Sequence, residues 1–181
     1  MSALKIARYG LLTSVMLVLG LVERQFMLVP GIPGIRLGLS NTVLLYALCL
    51  MDAKSAWLLM ASKVLLGGLL YAGVSGMFYS FAGGVLSMAA MLLSLRIKGV
   101  GVVGVSVMGA AAHMSGQIVM SRLLLGSWAA LVQAPILIAA SVVTGVLTGV
   151  SARAACKGIA STNPDMRVRL ESLGIAWGRK P

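Results

Sequence analysis

The chain has 181 residues, of which 59% are hydrophobic and only 10% charged, and its mean hydropathy is +0.99. This excludes an ordinary soluble globule, whose surface needs roughly a quarter of all residues charged. Fifteen Lys and Arg against four Asp and Glu leave a formal charge of +11, but the bases flank long apolar runs, which is the pattern of membrane topology and not of nucleic-acid binding.

The first apolar run, Tyr9 to Val22, follows Lys5 and Arg8. No small-x-small cleavage site follows it and further spans come soon after, so it reads as a retained first helix. A loop rich in Pro and Gly leads to a second run from near Leu37 to Asp52, whose fifteen uncharged residues just reach across a bilayer. From Ser55 to Leu95 only Lys63 is charged. That length calls for two helices of about twenty residues each, parted at Ala72-Gly73-Val74-Ser75-Gly76. Arg96 and Lys98 close the fourth helix, Gly99 to about Leu125 makes the fifth, Gly126-Ser127 breaks it, and Trp128 to about Ala152 makes the sixth. The expected fold class is therefore all-α, a polytopic six-helix transmembrane bundle with a Pro/Gly-rich lid loop between helices one and two. Five helices with an inserted hairpin are the alternative count.

With the N-terminus inside, eleven bases fall on the cytoplasmic side, among them Lys5, Arg8, Lys54, Arg96 and Arg153, against Arg24, Arg36 and Arg122 opposite. The asymmetry predicts a multi-pass protein of the cell membrane with both termini cytoplasmic. Residues 1–157 form the transmembrane domain and residues 158–181 a basic tail that lies against the anionic inner leaflet. Cys49 and Cys156 belong to no ligand cluster and read as free thiols, so no metal or other cofactor is expected.

Ionisable groups deep in a bilayer cost at least about 2.5 kcal/mol, so each asks for a partner or a purpose. Lys63 lies nine residues beyond Lys54, roughly 13 Å into the core at about 1.5 Å per residue. Gly67 and Tyr71 follow at four-residue spacing on its face. Three arrangements satisfy it: Glu23 dips in from the outer end of helix one, an anionic ligand supplies the charge, or the lysine is neutral. His113 and Gln117, four apart on helix five among Gly109, Ala110, Ala112, Ser115 and Gly116, form either an interhelical hydrogen-bonding face or a pocket wall. The loop from Val29 to Asn41 is too apolar for solvent and too broken for a helix, and it is expected to fold back as a lid, bringing Arg36 and Asn41 towards Lys63 and Gln117. Cationic groups with few acids point to an anionic solute.

Other patterns mislead. Gly99-Val100-Gly101-Val102-Val103-Gly104 spells a dinucleotide fingerprint, but no strand precedes it and Arg122 stands where a ribose-binding acid is required, so the glycines are expected to serve helix packing. Ser141, Gly145 and Gly149 make a small-residue stripe on the sixth helix and Ala3, Ala7 and Gly10 another on the first, each able to seat a neighbour of the same chain or another subunit. No phosphate-binding loop and no intramembrane acid pair for Mg²⁺ occurs in the sequence, so catalysis by this chain alone is not expected.

Five segments in order are similar to the Gx transporter family, also called heptaprenyl diphosphate synthase component I. They are Pro33-Gly34-Ile35-Arg36-Leu37-Gly38-Leu39-Ser40-Asn41, Leu65-Leu66-Gly67-Gly68-Leu69-Leu70, Ser80-Phe81-Ala82-Gly83-Gly84-Val85-Leu86-Ser87, Gly109-Ala110-Ala111-Ala112-His113-Met114-Ser115-Gly116-Gln117 and Val143-Thr144-Gly145-Val146-Leu147-Thr148-Gly149. The family resembles the substrate-binding S components of energy-coupling factor transporters. The resemblance implies a solute pocket near the outer face, a lid over Val29–Asn41, and Ala3, Ala7 and Gly10 facing a transmembrane coupling subunit that works with ATPases. Where this chain has Lys63 the family more often has Arg, so the grip on a phosphate would be less rigid here. The expected ligand-binding set is Lys63, His113, Gln117, Arg36, Asn41, Tyr71 and Glu23. Expected partners are a small anionic solute (a vitamin, a flavin, or a quinone or isoprenoid precursor), membrane lipid and no nucleic acid. The second name implies instead a non-catalytic subunit beside a soluble prenyl synthase.

Overall fold

The structure is a computed structural model that describes residues 3–25, 39–97, 99–126, 129–132 and 134–162, together with Pro164, Val168, Leu170 and Glu171. Its helices are α1 (Ala3–Gln25), α2 (Leu39–Leu50), α3 (Ala53–Gly67), α4 (Gly73–Ser94), α5 (Val102–Leu125), the short α6 (Ala129–Val132) and α7 (Ala134–Thr162), and no strand occurs among the described residues. Four helical segments are long and apolar enough to cross a membrane: Lys5–Glu23, Ala53–Ser94, Val102–Leu124 and Ala134–Thr162. This is the make-up of a multi-pass membrane protein. α2 is shorter, and its 12 residues rise only about 18 Å. Of the expected lid, residues 29–38 lie outside the described residues, while Leu39-Ser40-Asn41 form the first turn of α2.

The 42 residues of Ala53–Ser94 would make a straight rod of about 63 Å, twice the hydrocarbon thickness. The chain folds back instead. A π-helical turn, Gly68–Ala72, follows α3, and Gly73 takes φ 70 and ψ 177, a conformation in which a Cβ is strained. Across the fold, a Cβ on Gly84 would stand 2.9 Å from Met60 Sδ. Met60 and Gly84 are equally far from Ala72 in sequence, as the two arms of an antiparallel hairpin require. The reversal falls within the stretch where the sequence places it.

Backbones approach closely wherever small residues meet, as expected where lipid removes most of the hydrophobic drive between helices. A Cβ on Gly116 of α5 would lie 2.6 Å from the Ala82 carbonyl oxygen of α4. On the other side of α5, a Cβ on Gly145 would lie 2.9 Å from Val107 Cα, and one on Gly149 2.8 Å from Val103 Cα. The Ser141-Gly145-Gly149 stripe therefore seats α5 of the same chain. The expectation for the glycines before α5 needs correction: Gly99 has φ 89 and Gly101 is the N-cap of α5, and neither faces a neighbour within 4 Å, so they make a turn and not a packing surface.

α7 runs ten residues past Ala152, where its basic residues suggested an end. Ala152, Cys156 and Ala160 recur every fourth residue and stay buried, while Arg153 and Lys157 stand exposed on another face, so one stripe of small residues carries the helix on. Leu170 in the basic tail is buried in the same core cluster. At the start of α3, Asp52 is the N-cap: its carboxylate accepts from Ser55 N at 3.3 Å and from the Ser55 hydroxyl, which also meets the Tyr9 hydroxyl of α1. The outer surface is apolar, with Leu69, Leu123 and Val132 largely exposed, whereas Glu23, Ser87, Ser106 and Thr148 are buried.

Candidate functional site

That inversion has a centre. A cavity of about 110 Å³ lies among α1, α2, the α3/α4 hairpin, α5 and α7. It is lined by six of the seven residues expected in the ligand-binding set: Glu23, Asn41, Lys63, Tyr71, His113 and Gln117. The seventh, Arg36, lies outside the described residues.

Each side chain arrives there for a local reason. Glu23 ends the apolar stretch of α1, and Ser40 stands in the first turn of α2, where backbone N–H groups have no intrahelical acceptor. The buried Glu23 carboxylate accepts from Ser40 N at 3.1 Å and from Ser40 Oγ at 3.4 Å, so α1 caps α2 with a negative charge at the positive end of its dipole. One residue on, Asn41 Oδ1 accepts from Lys63 Nζ at 2.7 Å, a charge-assisted hydrogen bond between α2 and α3. Glu23 and Lys63 thus line the same space.

Tyr71 sits in the π turn, and its hydroxyl passes over two glycines. A Cβ on Gly20 of α1 would meet it at 2.6 Å, and one on Gly67 at 3.1 Å. On α5, the Gln117 side-chain amide and His113 Nε2 lie within hydrogen-bond distance, 3.2 Å apart. Gly83 of α4 makes room for this ring, since a Cβ there would stand 2.9 Å from His113 Cε1. The Lys63 region thus combines an ammonium, a carboxylate, a phenol and an imidazole-amide pair. Among the described residues no group of three His, Cys, Asp or Glu side chains gathers that could hold a metal ion.

The cavity also has lining that the sequence reading missed. Ser87 of α4, Ser106 of α5, and Ser141, Thr144 and Thr148 of α7 face it and are buried. The three hydroxyls on α7 recur at intervals of three and four, one face of a helix, and that spacing was the available signal. By contrast Ala3, Ala7 and Gly10 are exposed, and a Cβ on Gly10 would meet nothing within 4 Å.

A bundle of apolar helices around a buried, charged and hydroxyl-lined compartment defines a multi-pass membrane protein with an internal polar site. The chain belongs to the heptaprenyl diphosphate synthase component I family, whose model matches residues 12–155, a span that includes every cavity residue named above. No curated protein and no solved structure matches the chain.

Proposed function

We infer that this protein is the solute-binding membrane component of a transporter, similar to an S component, and that it takes a small anionic molecule from the outer side. The observation that carries this reading is the convergence of Glu23, Asn41, Lys63, Tyr71, His113 and Gln117 on one cavity. Charged and polar side chains brought from four parts of the chain to one void inside an apolar bundle are costly for mere cohesion and suited to holding a ligand. A volume of about 110 Å³, against about 150 Å³ for a cavity that takes benzene, favours a compact solute over a fused-ring flavin. In this reading α1, α2, α3, α4, α5 and α7 make six crossings with both termini cytoplasmic, α2 being the short one. In the same reading Ala3, Ala7 and Gly10 face a coupling subunit.

The family's description favours a second reading, a membrane subunit that anchors a soluble prenyl diphosphate synthase. The sequence has no intramembrane acid pair for metal and diphosphate, so such a subunit would be non-catalytic. Affinity purification of the tagged full chain from its native membrane separates the two. Stoichiometric recovery of an ATPase pair with a membrane coupling subunit supports transport. Recovery of an Asp-rich soluble prenyltransferase, with its product length altered when the chain is removed, overturns it.

A further inference from the structure

The sequence contains two cysteines, Cys49 near the end of α2 and Cys156 in the extension of α7. Nothing in their spacing relates them, yet the fold brings them together. Both are fully buried in the same core cluster, and their side chains are hydrogen-bonded to one another. They are thiols and not a disulfide. A buried cysteine is ordinarily a small apolar filler, and one thiol against an alkyl wall would need no other account. Two thiols directed at one another from different helices meet the first geometric requirement of a disulfide.

The pair lies where bases gather. Arg153 and Lys157, on either side of Cys156 in α7, are exposed, as is Arg8 of α1. Tyr46, one turn before Cys49, is under the electrostatic influence of both Cys156 and Arg8, so this guanidinium is close to the pair. A positive rim attracts small anionic disulfides, the carboxylate-bearing oxidants of thiol–disulfide exchange. Leu50 ends α2 directly after Cys49, and helix ends fray. Local opening therefore exposes Cys49 before Cys156, which sits inside a helix that continues to Thr162.

We propose that Cys49 and Cys156 form a dithiol–disulfide couple that staples α2 to α7, oxidised by a small anionic disulfide. Cys49 Sγ, as the thiolate, attacks one sulfur of that disulfide, and the first small thiol leaves. Cys156 Sγ then attacks Cys49 Sγ in the mixed disulfide, and the second leaves. The protons of the two cysteines pass to the leaving thiols, so the protein is oxidised by two electrons and the small disulfide is reduced to two thiols. α2 carries Ser40 and Asn41 at its other end, bonded to Glu23 and Lys63, and α7 carries Thr144 and Thr148 on the cavity wall. The staple fixes two walls of the cavity to each other, whatever the cavity holds.

The test equilibrates the detergent-purified full chain with reduced or oxidised glutathione, quenches in acid, denatures, and alkylates with N-ethylmaleimide for intact-mass measurement. Reduced glutathione should leave both cysteines of the chain alkylated. Oxidised glutathione should leave neither, with the monomer lighter by two hydrogens. It should also raise the melting temperature by about 5 °C, because the bond closes a long loop. Cys156→Ser should instead trap one glutathione on Cys49. The double variant Cys49→Ala/Cys156→Ala should show one melting temperature in both buffers, which separates the lost bond from lost folding. Two alkylatable thiols after oxidised glutathione, glutathione on both cysteines, or a disulfide-linked dimer would overturn the couple. Loss of both thiols with an unchanged melting temperature would overturn the staple.

Discussion

Asp52 shows how much one polar group at a helix end can organise. It caps α3 through Ser55, and Ser55 meets Tyr9, so a single carboxylate joins the start of the hairpin to α1. The Ser55 hydrogen bonds hold the Asp52 carboxyl below its ordinary value of 3.8, with Lys5 adding a smaller push in the same direction. A carboxylate whose folded pKa is depressed stabilises the fold above its unfolded pKa, and that contribution fades as the pH falls from about 4 through the lower folded value. Asp52→Ala should therefore lower stability by about 1 kcal/mol at neutral pH. The deficit relative to wild type should shrink below pH 4, and Asp52→Asn, which still caps, should recover most of it. Denaturant melts in detergent at pH 7 and pH 3.5 check both signs.

Among the elements, the hairpin decides the site. Gly73 turns the chain, the π turn carries Tyr71 over Gly67, and the return of α4 brings Gly83 against His113 and Gly84 against Met60. Without that reversal Lys63 and Ser87 would face different compartments. A Met60→Cys/Gly84→Cys pair should cross-link under mild oxidation in membranes, read as an intramolecular bond after cleavage between the cysteines. A Met60→Cys/Phe78→Cys pair should not, because Phe78 is half exposed on the outer face. Cross-linking of the second pair alone would contradict the hairpin.

The reversal was legible in the sequence because hydrocarbon thickness limits helix length, and a largely apolar segment of 42 residues exceeds it for one crossing. Lys63, His113 and Gln117 were legible because an ionisable or amide group is expensive in lipid wherever it points. The hydroxyl end was not legible, because Ser and Thr satisfy themselves on their own helix carbonyls, as Thr144 and Thr148 do, and so carry no visible cost. Nor was the run of α7 to Thr162, since Arg153 and Lys157 resemble a terminus while Ala152, Cys156 and Ala160 continue a buried stripe.

At the scale of the whole molecule, the fold turns its chemistry inward. Apolar side chains face outward, glycines bring α4, α5 and α7 to backbone contact, and the polar groups are left around a central space. Family membership over residues 12–155 covers that space entirely. The decisive measurement is native mass spectrometry of the gently purified protein, with denaturing release of bound small molecules, for wild type, Lys63→Met and His113→Ala. A solute-binding component should carry one stoichiometric small anionic compound in wild type and lose it in both variants. Lipid alone in all three, with the variants merely less stable, would contradict a solute site and leave the cavity groups as internal cohesion.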